Sequence, residues 1–360
     1  MKLLKIKTLA GVGASVVLLS ALSMFSSCSK NNDNVTPSTL TSTPTTTAAK
    51  PTPAFTSASL ATTYTSSGPI TAKSYTTYSG LVINLNGSGT TGITLQNLTN
   101  VHITNCKIIN TTGFAINIYN CSNVTIDNCL ISNVGFGVYA QGNSKNIKVN
   151  NNQFLNINGI NTSSLGHAVQ YNGVNGGGNQ VNYNHIENIA GVAVHPHDMI
   201  NLYQCNGLQG DSIQVIGNWI RGGQLTLWPN SYSGAAGIIM ADVAGSYQVC
   251  RNNILVNPGY AGIQCIGTGY GIKIDHNQVF STRTAINSNA INILDKTQIE
   301  VSYNKTNWTN HNGINALLSD GETQYYLGSP ASPWPKNFGT NNWRSGITAT
   351  ILPTTIITLN

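Results

Sequence analysis

An all-β solenoid of stacked coils, closed by a C-terminal cap, is the fold this sequence predicts, and three observations predict it. Only 8% of the 360 residues are charged, where an average soluble protein has roughly a quarter; exposed helix faces are built from the Glu, Lys and Arg that are missing here. Glycine is abundant, at 36 residues, and Asn and Thr are frequent. Above all, one short segment recurs. It reads ITNCKIIN at 103–110, IDNCLISN at 126–133, VNNNQFLN at 149–156 and VNYNHIEN at 181–188, then VIGNWIRG at 215–222, VCRNNILV at 249–256, IDHNQVFS at 274–281 and VSYNKTNW at 301–308. Each copy opens on an aliphatic residue and carries Asn or Cys at its fourth position, with successive spacings of 23, 23, 32, 34, 34, 25 and 27 residues. Such a repeat is the signature of coils that bury their apolar faces only by stacking.

In chain order, residues 1–27 read as a secretory signal: Lys2, Lys5 and Lys7, an apolar run, then small residues. The ending Ser26-Ser27-Cys28 resembles a bacterial lipoprotein box, with Phe25 where that motif has a small aliphatic residue. The resemblance implies acylation of Cys28 and an exported protein, lipid-anchored in the cell envelope at the outer membrane. A membrane-spanning helix is the alternative, and the run is short and polar-flanked for that. Residues 28–61 are mostly Thr, Ser, Pro and Asn, too poor in apolar surface to fold, and form a tether. Residues 62–320 carry the solenoid. Residues 321–360, with Trp334, Pro335, Trp343 and Pro353, suit a non-repeating lid over the last coil.

Net charge is +6, from 17 basic and 11 acidic residues, and falls to +3 without the three leader lysines. No basic stripe forms, so nucleic acid is excluded as a partner; a monomer touching the membrane only through its lipid is expected. Six cysteines follow Cys28: Cys106, Cys121, Cys129, Cys205, Cys250 and Cys265. An even number permits disulfides in an exported protein, yet most fall at inward positions, where thiols pack as small hydrophobes. None has zinc-ligand spacing.

The fourth positions of the repeat, Cys106, Cys129, Asn152, Asn184, Asn218, Asn252, Asn277 and Asn304, are expected to form one column. There Asn bonds backbone amides that water cannot reach, and Cys serves as an apolar plug. A second strand falls between copies, with inward aliphatics Ile116, Val138, Val169, Ile200, Ile238, Ile263, Ile286 and Ile314. The whole pattern, over about 75–320, resembles the right-handed parallel β-helix of the pectate-lyase-like superfamily. The stretch from DMINLYQCNG at 198–207 to NPGYAGI at 257–263 is similar to uncharacterised secreted bacterial β-helix proteins. The resemblance implies a single-stranded right-handed β-helix and an acidic polysaccharide as ligand.

From each column position to the next inward aliphatic, regular coils take nine to eleven residues, whereas three central coils take 17, 16 and 20. The long corners, about 156–166, 188–197 and 222–235, would wall one groove. Beneath them His167 and Asp198 occupy equivalent places in neighbouring coils, about 4.8 Å apart. Burying Asp198 unpaired would be costly, so it is either turned outward at the strand start or paired. Gln170, Asn201, Tyr203 and Asp242 are candidate contacts on the same sheet, with Asn172 nearby. Arg221 could hold a carboxylate bidentately, and Trp228 is either a sugar platform or a loop anchor. His102, His185 and His276 read as surface spacers, and Lys273 lies outside the wall. His195-Pro196-His197-Asp198 resembles the Asp-Pro-His-Asp signature of bacterial alginate epimerases, which makes His197 a catalytic candidate. His195 and Val192 stand where that family has its Asp and Tyr.

Two classes of function follow. The superfamily resemblance implies a uronan lyase, in which His167 is the base oriented by Asp198 and Arg221, Asn201 or Gln170 binds the uronate carboxylate. A uronate epimerase is its variant. The other class is a non-catalytic surface module for glycan binding or adhesion, with aromatic platforms and a structural His167–Asp198 pair. Calcium has weak support, because no cluster of three or four acids occurs; no other cofactor is implied.

Overall fold

The computed structural model describes residues 63–159, 166–189, 196–222, 236–282, 288–293, 298–310, 313–314, 316–319, 324–326 and 334–357. The leader, Cys28 and the tether lie outside them. Strands stack in three parallel ladders, each strand pairing with its equivalents one coil before and after. The first ladder runs Leu81–Ser88, Lys107–Tyr119, Leu130–Gln141, Gln153–Ile157, His185–Glu187, Trp219–Arg221, Ile254–Val256, Gln278–Ser281 and Lys305–Trp308. The second includes Ile93–Gln96, the later parts of Lys107–Tyr119 and Leu130–Gln141, His167–Asn172, Asp198–Asn206, the start of Ala236–Arg251, Ala261–Cys265, Asn289–Ile293 and Ala316–Ser319. The third runs from Thr76–Ser79 to Ile299–Ser302. This is a parallel β-helix. Its core is a set of in-register aliphatic stacks, such as Ile83, Ile108 and Ile131, all fully buried, each side chain contributing roughly 1.5–3 kcal/mol.

Where the first ladder begins in each coil, the polar column forms. Asn184 Nδ2 donates to Val149 O (2.8 Å), while Asn218 Oδ1 accepts from the Asn184 backbone N–H (3.0 Å) and from Asn184 Nδ2 (3.0 Å). The same three bonds repeat from Asn152 to Asn304, and Asn341 extends the column into the C-terminal segment. The cysteines do more than plug the column: Cys106 Sγ reaches Tyr78 O and Cys129 Sγ reaches Ile103 O, at 3.6 and 3.8 Å, along the line an Asn amide takes elsewhere. All six described cysteines are buried free thiols.

Two register expectations need correction. The column member is Asn253, which bonds Val215 O and Asn277, while Asn252 sits beside it at φ +55°. Of the two adjacent asparagines the second is the column member, because Cys250 holds the aliphatic place opposite Val215 and Ile274. Likewise Ile263 pairs in register with Ile291, and Ile291 with Leu318. Ile314 is exposed and Ile286 lies outside the described residues. Long corners therefore also follow Asn277 and Asn304, and are not confined to three central coils.

The C-terminal segment does two things. Lys336 and Asn342 bridge in parallel to Glu300 and Lys305, and the stacked rings of Trp334, Phe338 and Trp343 lie at the end of the core. The chain then turns back along the outside of the first ladder. Leu352, Ile356 and Ile357 cover Leu130, Leu155, Ile254, Val256 and Phe280. His185, expected on the surface, is buried beneath it, stacked on Trp219 and bonded to Ile356 O; burial pulls its pKa down to about 4.

Replacing Asn218 with Ala strands the buried Asn184 N–H and the Val181 carbonyl. An expected loss of about 2–4 kcal/mol follows from two unsatisfied buried groups. Asn218→Cys should recover part of that loss in equilibrium denaturation, because the thiol can still reach the carbonyl.

Candidate functional site

The site lies on the outer surface of the second ladder, where the chain rounds a corner at the start of each strand. Gly137 faces inward there, since a Cβ would sit 2.1 Å from Ala168 O and 2.9 Å from the core ring of Phe154. The residue before it therefore points outward, so Phe136, His167 and Asp198 share the outer face with Tyr139, Gln170 and Asn201. Both alternatives expected for Asp198 are realised, because it is turned out and it is paired.

Asp198 is the hub. Its Oδ2 accepts from His167 Nε2 (3.1 Å), His197 Nδ1 (2.8 Å) and Asn201 Nδ2 (3.2 Å), and its Oδ1 accepts from Ala236 N (3.1 Å). Asn201 Nδ2 also donates to Asp242 Oδ2 at 2.9 Å. Asp242 reaches this level through a bulge: Asn201 opposes Ile239, but Tyr203 opposes Asp242, so one extra residue is accommodated. Ala241 and Val243, on either side of Asp242, have φ of +44° and +67°. Positive φ is costly for a β-branched residue, and the strain is concentrated at the carboxylate it helps to aim.

Protonation follows from the packing. Burial alone would raise the Asp198 carboxyl, but the two imidazoles bonded to it hold it far below the ordinary carboxylate range. Burial lowers His167, against the pull of Asp198, and favours the neutral ring. The bond to Asp198 raises His197, outweighing burial. Burial raises Asp242, and the Asn201 bond partly offsets this. The His167 side chain is 0% exposed and that of His197 is 34%. His167 Nδ1 and Asn201 Oδ1 are buried without a partner among the described residues.

The remaining expected contacts divide. Gln170 lies in register between Tyr139 and Asn201, and Tyr203 beside Asn172. Arg221 belongs elsewhere. It lies in the first ladder opposite Glu187, bonds Glu187 Oε1 at 2.7 Å and holds the carbonyls of Pro353 and Thr354. The returning C-terminal segment, invisible to the repeat, claims it. Trp228 lies outside the described residues, as do most of the three long corners. Lys273 pairs with Glu300, outside the site. The structure adds an aromatic strip: the rings of Phe114, Phe136 and Tyr139 lie 5.1–5.5 Å from one another, and Phe136 continues to His167 at 5.1 Å. Their column positions were readable, but consecutive aromatics at strand starts look like core until the corner is known to turn them outward. His167, His197 and Asp198 each present one donor atom within 4.8 Å of the others, a set suited to a metal ion.

The fold is that of a right-handed parallel β-helix, and residues 54–173 match the family model of the right-handed β-helix region. No curated protein sequence matches it. Solved structures of similar fold include PfbA, a surface adhesin of Streptococcus pneumoniae, at 13% identity over 74% of this chain and 75% of that one, with a TM-score of 0.39. The catalytic domain of a GH87 alpha-1,3-glucanase in complex with nigerose is similar at 14% identity over 78% of this chain, with a TM-score of 0.37. This chain spans 64% of that domain. Among the described residues no helix is long and apolar enough to cross a membrane.

The His197–Asp198 pair makes a pH prediction. His197 is raised in the folded state, so its stabilisation is complete below about pH 6.5 and is lost as pH rises through the folded value. Asp198→Asn removes the anion that holds the proton. In histidine NMR titrations, His197 of the wild type should titrate above 6.5 and that of the variant at a lower pH.

Proposed function

We propose that this face binds acidic polysaccharide and cleaves it by β-elimination. The observation that carries the reading is the geometry of one hydrogen-bonded hub. His197, whose pKa the bond to Asp198 raises, and Asp242, a carboxylate made more basic by burial, stand on either side of Asp198 and Asn201. Elimination beside a uronate carboxylate requires a positive group to neutralise that carboxylate and a base for the neighbouring C–H proton. His197 supplies the first. Asp242 supplies the second, taking the proton as the C–H electrons form the C=C bond and the glycosidic C–O bond breaks, the departing oxygen being protonated by water. His167, assigned as base from its position in the sequence, is fully buried and is better suited to hold Asp198 in place. Phe114 and Tyr139, stacked on each other and packed against the buried Phe136, extend the face with a surface on which sugar rings can stack.

Incubation of the purified mature domain with a panel of uronans tests the reading through ultraviolet absorbance of unsaturated ends. The wild type should generate that absorbance, and Asp242→Asn should lower the rate by about 100-fold or more at unchanged melting temperature. Saturable uronan binding with no unsaturated or epimerised product would replace the lyase reading with a glycan-binding surface module. Epimerised product alone would replace it with an epimerase, and no binding to any uronan would overturn it.

We further propose that the protein is exported and held at the outer membrane by acylated Cys28. Cys28→Ala should move the protein from the detergent phase to the aqueous phase in partitioning; unchanged retention would show that the cysteine carries no anchor.

A further inference from the structure

We infer that His167, His197 and Asp198 form a binding site for one divalent transition-metal ion of the zinc class. The inference concerns the same face as the glycan reading but does not rest on it, because the ion is recognised by this chain's own side chains with no substrate present.

Donor chemistry comes first. Two imidazoles and one carboxylate are the mixed nitrogen and oxygen set that suits zinc, cobalt, nickel, copper or iron, whereas calcium and magnesium require oxygens throughout. Spacing comes second. Two edges of the donor triangle are 3.1 and 2.8 Å, and all three donors fall within 4.8 Å. Ligand atoms on a tetrahedral ion with ordinary Zn–N and Zn–O bonds stand about 3.3 Å apart, so small side-chain rotations close the site.

The support around the donors is already in place. His167 and Asp198 are in register on adjacent parallel strands, and the His197 backbone N–H is tied to Gly166 O at 2.7 Å. Ala236 N occupies Asp198 Oδ1 and leaves Oδ2 facing both imidazoles. This is the outer-shell arrangement that orients a metal-binding carboxylate. Asn201 presents a buried Oδ1 with no partner among the described residues, an oxygen available to the ion or to a water bound on it. Three protein donors leave a fourth position open, as in zinc sites that act on substrates. The partial exposure of His197 gives the ion its route in.

The proton balance agrees. Without an ion, each ring can donate the single N–H of its neutral tautomer to Asp198; an ion at Oδ2 takes the place of those protons, and both rings then bind it through the same nitrogens as neutral ligands, their ring protons on the other nitrogen. The cationic clamp proposed for a uronate carboxylate would become the ion itself, held on the same three residues.

The test uses tag-free mature protein, stripped with a chelator and titrated with zinc in a calorimeter and with cobalt in a visible spectrophotometer. The expected result is one ion per chain at micromolar affinity or tighter, a cobalt spectrum of low coordination number and a rise in melting temperature on adding zinc. His197→Ala, at a partly exposed position, should weaken binding by about tenfold or more and abolish the zinc-dependent rise, each variant being compared with its own metal-free melting temperature. His102→Ala and His276→Ala, which remove the surface histidines beside Asp127 and Asp275, should bind as the wild type does. No stoichiometric uptake, or uptake unchanged in both His197→Ala and Asp198→Asn, overturns the inference. Uptake without turnover of any uronan removes the lyase reading and leaves the metal site standing.

Discussion

Everything in this molecule depends on how the chain takes its peptide groups round a corner without water. A parallel solenoid satisfies strand amides through the coils above and below, but at each corner the backbone turns away from that ladder. The stacked asparagines close the gap. Each amide nitrogen donates to a carbonyl of the preceding coil, and each amide oxygen accepts a backbone N–H of that coil. The column therefore acts as a fixed spacer. It tolerates rungs of 23 and of 35 residues alike, because extra length is expelled elsewhere in the coil.

That tolerance is what makes a site possible. With the corner pinned and the aliphatic stacks in register, the outward residues of the second ladder are held on rigid strands at the spacing of neighbouring β-strands. His167 and Asp198 meet because Val169 and Ile200 meet below them. Asp242 joins through a local departure from regularity, a bulge between residues of unfavourable φ. The regular part of the fold supplies position, and the irregular part supplies aim.

The returning C-terminal segment settles a second question, that of the outer surface of the first ladder. Leu130, Leu155, Ile254, Val256 and Phe280 point away from the core and would leave an apolar strip in water. Covering them uses Arg221 and His185 as fasteners. This is why Arg221 is unavailable to the site and why His185, one residue from the inward Ile186 and so outward by simple alternation, is nevertheless buried.

The sequence by itself determined the coil, the polar column and the equivalence of His167 with Asp198, because all three are consequences of periodicity, and periodicity is local information. It also located Gln170, Asn201 and Asp242 on one sheet. It misplaced the column at Asn252, where two asparagines compete and only the carbonyl each can reach distinguishes them. It misjudged the last two rungs, where an aliphatic at a plausible distance, Ile314, stood in for Leu318. Only the tertiary structure decided which way the corner turns its residues, and with that the outward aromatic strip of Phe114, Phe136 and Tyr139. Only it decided that the half-exposed His197, rather than His167, faces solvent, and that Arg221 is spent on a segment more than 130 residues away. Alternation along one strand does not encode a bend between strands, and a repeat carries no record of what a non-repeating tail will cover.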